Sequence, residues 1–361
     1  MKKAQAALGL LACVATGSAL AQTNVTVGGL VDMFAGSMKN SGDAGRKSVV
    51  GSGGMTTAWW GFKGTEDLGG GLRAEFALTG FYRGDTGEIG RFGGDNLFSR
   101  DANIGLAGGF GKVQLGRGLA PQFLPTVLFN PFGDSFTFSP LVINANVPSG
   151  PFGARTWTAA NAGDTGWSNQ IIYTTPKIGG LTANVHYQFG EVAGATSRNN
   201  VGVNALYFNG PLGLSAFYHD VQVANPNPGA IIDVTAAPFS VASINQQKTA
   251  FVGASYNFNV LKLFATYQRN KDETTTAATM TDKLYSLGLS APVGPGSVLL
   301  GYANTKRTGS LVGADRKRNT LSVGYDYVLS KRSDLYTIAM SDKINTALRA
   351  TSFGVGLRHK F

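Results

Sequence analysis

The side chains best suited to acid–base, nucleophilic or metal chemistry at neutral pH are few in this 361-residue chain: His186, His219, His359 and a lone Cys13. Hydrolytic chemistry of the nucleophile–base kind needs a histidine in a defined setting of Ser and Asp, and none of the three has one. No two histidines stand at metal-ligand spacing. The run Gly69-Gly70-Gly71 falls in a turn and not ahead of a helix, so it is not a phosphate loop. The sequence therefore reads as a non-enzyme with no metal and no cofactor, and whatever it does must come from the elements that place its polar side chains.

The chain opens Met1-Lys2-Lys3, continues apolar through Leu8, Leu10, Leu11 and Val14, and reaches Ala19-Leu20-Ala21 before Gln22. A charged start, a short apolar core and an A-x-A site make residues 1–21 a predicted secretory signal peptide, cut between Ala21 and Gln22. Leu10-Leu11-Ala12-Cys13 also resembles a lipoprotein cleavage box, but the apolar residues past Cys13 and the well-formed later site argue against it. Cleavage leaves 340 residues without cysteine, hence without disulfides.

Glycine supplies 50 of the 361 residues, about twice the ordinary share, while charged residues make up 14% against roughly 25% in soluble domains. After the leader no apolar run approaches the ~18 residues of a membrane helix. That composition suits a sheet with one apolar and one wet face. The formal charge of +10 falls to +8 without Lys2 and Lys3. The basic residues are scattered and the chain is exported, which disfavours nucleic acid and favours a basic lumen that attracts small anions.

Period-2 alternation runs through the chain, as in Leu72-Arg73-Ala74-Glu75-Phe76-Ala77-Leu78, Ala183-Asn184-Val185-His186-Tyr187 and Leu321-Ser322-Val323-Gly324-Tyr325. Segments of about 9–12 residues match strands tilted across a bilayer. Seven short turns (Glu66–Gly71, Gly108–Gly111, Lys177–Gly180, Asn209–Gly213, Asn257–Val260, Pro292–Gly296, Ser330–Ser333) alternate with eight longer loops near 37–54, 84–96, 119–166, 191–198, 223–246, 271–281, 307–317 and 343–349. Fifteen connections predict sixteen strands over residues 22–361, an all-β, 16-stranded antiparallel transmembrane β-barrel. A barrel satisfies its backbone in lipid, leaves no edge, and at this size encloses water. Aromatics such as Trp59-Trp60, Tyr173, Tyr218, Tyr285 and Tyr302 lie towards strand ends, as interfacial girdles do.

Four stretches carry a resemblance. They are Trp60-Gly61-Phe62-Lys63-Gly64-Thr65-Glu66-Asp67-Leu68-Gly69-Gly70-Gly71-Leu72, Ser99-Arg100-Asp101-Ala102-Asn103-Ile104-Gly105-Leu106 with Gly109-Phe110-Gly111-Lys112-Val113-Gln114-Leu115-Gly116-Arg117, Tyr327-Val328-Leu329-Ser330-Lys331-Arg332-Ser333-Asp334-Leu335-Tyr336, and Gly354-Val355-Gly356-Leu357-Arg358-His359-Lys360-Phe361. Together, in order, they resemble the general Gram-negative porins, in particular the trimeric porins of β-proteobacteria. The resemblance spans about residues 23–361. It implies a homotrimer in the outer membrane, surrounded by lipid and lipopolysaccharide, that passes ions and small solutes by passive diffusion. It implies that Phe361 is the signal read by the barrel-insertion machinery. It also implies that the third outer loop folds into the barrel and narrows it, with a basic wall facing acidic loop residues.

That loop is the stretch Leu119–Gly166, too long and too rich in Phe and Leu to be a solvated loop, so it is expected to pack on the inner wall. By the resemblance Arg100 is a constriction arginine and Arg155 a second. Period-2 counting turns Lys63 inward. Two departures stand out. Trp59 occupies the place of a basic wall residue, and the only acids of the loop are Asp134 and Asp164, with apolar residues near Val127 and Pro131 where acids are expected. A narrow, aromatic and mildly basic constriction follows, with weak anion selectivity. A substrate-specific porin for small or aromatic solutes is the alternative, and an adhesin or assembly barrel with little conduction is a third class. A plugged 22-stranded transporter does not fit in 340 residues. His186 and His219 are expected as wet lumen residues and His359 as an outward one. The loop 84–96, with Asp85, Glu88 and Arg91, either latches onto a neighbour or stays solvated.

Overall fold

Alternation becomes strand almost throughout. A computed structural model describes residues 24–146, 163–191, 198–225 and 244–361. Its strands are β1 (Asn24–Met38), β2 (Lys47–Ser52), β3 (Trp59–Gly69), β4 (Leu72–Arg83), β5 (Glu88–Ile89) and β6 (Asp101–Gly108). There follow β7 (Gly111–Leu119), β8 (Gly166–Thr174), β9 (Leu181–Gln188), β10 (Asn200–Asn209), β11 (Leu212–Val221) and β12 (Ile244–Asn257). The set ends with β13 (Lys262–Thr274), β14 (Thr279–Val293), β15 (Gly296–Thr308), β16 (Arg316–Val328), β17 (Ser333–Ile344) and β18 (Ala350–Lys360). Two short helices, α1 (Phe123–Val127) and α2 (Pro140–Asn146), lie between β7 and β8.

These eighteen segments make sixteen staves. β2 and β3 both pair with β1, at Met33↔Ser52 and Leu30↔Trp59, so they are two halves of one stave. β5 pairs only with β4 and belongs to the second outer loop. All neighbours are antiparallel, and β1 closes the sheet on β18 from Leu30↔Lys360 to Ser37↔Phe353. The sixteen-strand expectation matches. The first outer loop does not: Gly51, Gly53 and Gly54 make 37–54 read as one connection, yet β2 resumes pairing inside it, so the outer turn is 39–46 and a second break at 53–58 interrupts the stave.

Outward positions such as Ile104, Leu115, Val203, Val252, Leu287, Val323 and Val355 are exposed, while alternate positions such as Thr249, Gln268, Ser286 and Ser322 are covered. An exposed apolar sheath around a polar interior is the inverse of a soluble sheet and fits lipid as the surrounding solvent.

The third loop lies inside. α1 touches β10, β11 and β12, and α2 touches β14, β15 and β16. Phe129, Phe132 and Phe138 are fully covered. Phe132 and Phe138 share a cluster with Phe34, Met38, Leu299, Ile338 and Met340 from the inner wall, and Phe138 meets Phe34 edge to face at 5.6 Å. Each covered phenylalanine contributes about 2 kcal/mol of transfer free energy, which is why the loop's apolar residues bring it inward. Hydrogen bonds set its position: Asn144 Nδ2 donates to Thr320 Oγ1 at 2.9 Å, Thr305 Oγ1 donates to Asn144 Oδ1 at 3.0 Å, and Ser322 Oγ donates to the Phe138 carbonyl at 2.7 Å. The loop thus dries out the side of the lumen lined by β14–β17. The wet passage runs along the opposite wall.

Candidate functional site: the lumen constriction

Two pieces of backbone leave the wall and hold each other inside the lumen. Residues 53–58 bend inward around Asp32, whose carboxylate accepts from the backbone N–H of Gly54, Met55 and Thr56 at 3.1, 2.8 and 2.7 Å and from the Tyr336 hydroxyl. Gly53 needs its positive φ of 76°, and a Cβ on Gly54 would collide with the Tyr336 ring. The freed carbonyls then receive the loop tip. Ser135 Oγ donates to Gly54 O at 2.6 Å and Thr137 Oγ1 to Gly53 O at 2.9 Å.

Trp59 starts β3 directly after this bend, half-buried with its ring in the lumen. The Arg100 guanidinium lies 4.2 Å from its ring centroid and the Lys63 ammonium 5.6 Å away. One indole thus carries two cations, a contact worth about 0.5–2 kcal/mol each. Arg100 also reaches Asp101 at 3.2 Å, and Asp101 accepts from Thr79 Oγ1 at 2.7 Å. Beyond them opens a cavity of about 400 Å³ lined by Lys63, Glu75, Asp101, Asn103, Lys112 and Gln114 among others. Glu75 there faces Lys112 at 3.5 Å and Arg73 at 3.6 Å.

The structure therefore brings together Trp59, Lys63 and Arg100. Asp134, on the loop, is held by Thr56 of the bend. Burial raises its carboxyl above the ordinary 3.8, against a hydrogen bond from Thr56 and the charges of Arg358 and Arg100. Arg155, Ala21 and Gln22 lie outside the described residues. The aromatic constriction expected from the loop phenylalanines takes a different form. Phe129, Phe132 and Phe138 are spent on the wall, leaving Trp59 as the aromatic surface of the passage, with half-buried Phe136 on the loop.

His186 and His219 differ from the expected wet residues. Both face inward, but α1 and its approach cover them: Asn204 donates to the Pro121 carbonyl at 2.9 Å, and the two imidazoles lie 6.2 and 6.0 Å from the Trp167 ring. His359 is outward and exposed, 2.8 Å from Ser333 Oγ.

The other loop acid, Asp164, is consumed by a latch. Arg91 from the second outer loop grips it through Nη1 at 2.7 Å and Nη2 at 3.0 Å, and holds Asp95 through Nε at 2.8 Å. Arg117 Nη2 adds a 3.4 Å contact. The loop 84–96 thus uses Arg91 within its own chain, where the sequence leaves a neighbour or solvent open. Burial raises the Asp164 carboxyl, but the Arg91 and Arg117 guanidinium groups overcome this and hold it below 3.8. A carboxyl depressed in the fold stabilises above its unfolded value and loses that contribution as pH falls through the folded one. Loop-closure events in single-channel recordings are therefore expected to be equally frequent at pH 8 and pH 5 and to rise only below about 4. Arg91→Ala leaves Asp95 without its cation and Asp164 with the longer Arg117 contact, and is expected to lower unfolding stability in detergent by about 3 kcal/mol. An unchanged denaturation midpoint would show that the latch carries no load.

Sequence reasoning does not single out Asp32, Asn144 or Arg358, and it reads Tyr336 only as one more strand-end aromatic of the girdle, whereas Tyr336 is covered and bonded inward to Asp32. Arg358 bonds Asp334 at 3.1 Å, Asp326 at 3.3 Å and, beside the bend, Thr56 Oγ1 at 2.9 Å. Alternation turns both Asp32 and Arg358 inward, which is the only signal for them in the sequence.

No metal-binding group of three or more His, Cys, Asp or Glu occurs among the described residues. The profile of the Gram-negative porin family matches residues 6–347. Outer membrane porin protein 32 of Delftia acidovorans is 32% identical over the full length of both chains, and an outer membrane porin protein of Bordetella pertussis is 30% identical, again over the full length of both. An anion-selective porin from Comamonas acidovorans superimposes with a TM-score of 0.73 at 30% identity, covering 94% of this chain and all of the other. A closed sixteen-stave barrel with an apolar exterior, a wet lumen and an inward loop says the same in physical terms. The chain belongs to the Gram-negative porins and is a diffusion channel of the outer membrane, not an enzyme.

Proposed function

We propose that this porin conducts small anions in weak preference to cations, and that Arg100, Lys63 and Trp59 form its selective wall. The observation that carries the reading is the shared indole: Trp59 holds two cations on one side of the passage. The loop offers little to oppose them, because Asp164 is tied to Arg91 and Asp134 is buried against Thr56 of the bend, with its carboxyl pushed up by that burial. Asp101, 3.2 Å from Arg100 itself, and Glu75, beside Lys112, offset part of the basic wall, which keeps the preference weak. The similar Comamonas protein is described as anion-selective, which supports the sign. Arg155 completes the basic side of the constriction in this reading. A reversal potential measured in a KCl gradient across a planar bilayer is expected to have the sign of chloride preference, with a permeability ratio of a few-fold. Cation preference would overturn the proposal.

A substrate-specific pore for aromatic solutes has less support, since the covered loop phenylalanines are not available to a solute. The homotrimer implied by the sequence has a fitting surface around β1, β2 and β18, where Ala35, Val50, Val355 and Leu357 border a shallow apolar hollow. Phe361, bonded through its backbone to Gly29 at 3.1 and 3.2 Å, completes closure of the last strand and serves as the insertion signal in this reading.

A further inference from the structure

Past Trp59, towards the short turns, the cavity of about 400 Å³ has two unlike faces. One is charged and comes from β3, β4 and β7. The register places its groups on successive inward steps: Lys63 lies level with Ala77 and Asn103, Glu75 with Gly105 and Gln114, and Lys112 with Ala107 and Arg73. Each step is two residues along a strand, about 7 Å. Ala77 and Gly105 carry no long side chain, which leaves a recess among the charged ends. Gln114 Nε2 donates to Asn103 Oδ1 at 3.0 Å and Asn103 Nδ2 to the Arg117 carbonyl at 2.8 Å, so the amides beside the recess are held in place. The other face is apolar and is made by Leu119, by Leu124 of α1 and by Ile172 of β8.

The charged groups of this recess have bonding capacity left over. Glu75 stands 3.5 Å from Lys112 and 3.6 Å from Arg73, longer than the roughly 2.7–2.9 Å of a charge-assisted hydrogen bond. Lys63 forms no ion pair among the described residues, and its ammonium meets the Trp59 ring instead. Asp101 differs, since it already accepts from Thr79 at 2.7 Å and from Arg100 at 3.2 Å. A simple anion in the recess is attracted by the lysines and repelled by Glu75, and a simple cation meets the reverse. A molecule that carries both charges on one carbon answers both signs at once. An apolar side chain on that carbon then has Leu119, Leu124 and Ile172 to cover it. Cavities of about 300–1,000 Å³ with an apolar lining and a few placed polar groups are those that hold small molecules.

We infer that this vestibule is a binding site for zwitterionic α-amino acids with an apolar side chain. Lys63 and Lys112 take the carboxylate and Glu75 the ammonium, through charge-assisted hydrogen bonds that these groups do not make with one another. The site favours a solute of zero net charge, which the ion preference of the pore does not. The inference rests on the reading of Lys63 as a wall residue of the passage and is independent of the sign of that preference.

The test reads the current through the full-length channel in a planar bilayer at fixed KCl as L-leucine is added. Leucine is expected to block the current in a saturating way. Three probes each lack one part of it: 4-methylpentanoate the ammonium, 3-methylbutylamine the carboxylate, and glycine the apolar side chain. Each is expected to need roughly tenfold more for half-maximal block, the scale of one lost contact. Glu75→Gln should abolish the difference between leucine and 4-methylpentanoate, and Lys112→Gln the difference between leucine and 3-methylbutylamine. A variant that only disturbed the wall would weaken all probes in the same ratio. Absence of leucine block in the wild type, equal block by leucine and 4-methylpentanoate, or unchanged probe ratios in Glu75→Gln would overturn the proposal. The reversal potential in KCl without leucine decides the anion preference separately: a cation-preferring wild type with the leucine pattern intact would remove that reading and keep this one.

Discussion

Lys63→Glu/Arg100→Glu is expected to reverse the sign of the reversal potential in a KCl gradient, turning an anion-preferring channel into a cation-preferring one. The two side chains flank Trp59 with their charged ends 5.6 and 4.2 Å from its ring, so an ion crossing the indole passes both at short range. At ~5 Å and the dielectric of water one unit charge is worth about 0.8 kcal/mol to a monovalent ion. Exchanging two cations for two anions changes the wall by four units, roughly 3 kcal/mol for either ion before screening. At 0.1 M salt the Debye length of about 10 Å leaves most of that in place. A shift of about 1.4 kcal/mol already changes a permeability ratio tenfold, so at least that is expected. Both side chains reach the wet lumen, so the barrel should tolerate the change. A reversal potential equal to that of the wild type would remove Lys63 and Arg100 from the constriction and leave selectivity to Arg155 or to the wall beyond.

The barrel is legible in the sequence because its rules are local. Alternation turns Thr249 in and Val252 out whatever lies across the lumen, and short turns alternating with long loops count the staves without any knowledge of register. The stretch Lys47–Ser52 escapes that reading because pairing resumes between glycines, and only the partner strand β1 shows it. Lys63 is legible in the same local way. Arg100 comes through family likeness, and its place over Trp59 depends on Asp101, the next residue, which Thr79 of the neighbouring stave holds. The fate of the loop phenylalanines is harder to read. Their apolar character says that they pack, but whether Phe132 and Phe138 face the passage or the wall is decided by Phe34, Ile338 and Met340, which are distant in sequence. Arg91 is ambiguous for the same reason, since its partner Asp164 lies 73 residues away. Asp32 is the least visible of all. Three of its partners are backbone N–H groups, which leave no trace in residue type.

Asp32 is also where a single change should enlarge the pore most. Its carboxylate is the common acceptor for three backbone N–H groups and the Tyr336 hydroxyl, all in a covered site. Asp32→Ala leaves these donors unpaired, at about 1–3 kcal/mol for each that finds no water. The bend at 53–58 has no other support of that strength, so it is expected to relax towards the wall. Gly53 and Gly54 would then no longer offer their carbonyls to Thr137 and Ser135, and the loop tip would lose its seat. Trp59 would move with the bend that precedes it. The expected result is a single-channel conductance raised about two-fold or more, with greater current noise and a weaker anion preference, in a barrel that still inserts because its closure at β1–β18 is untouched. Asp32→Asn is the informative partner. Its amide oxygen can still accept from part of the bend, so its conductance should fall between the two. If Asp32→Ala conducts like the wild type at the same noise level, the bend is held by the loop and not the loop by the bend, and Ser135→Ala/Thr137→Ala should then produce the open pore instead.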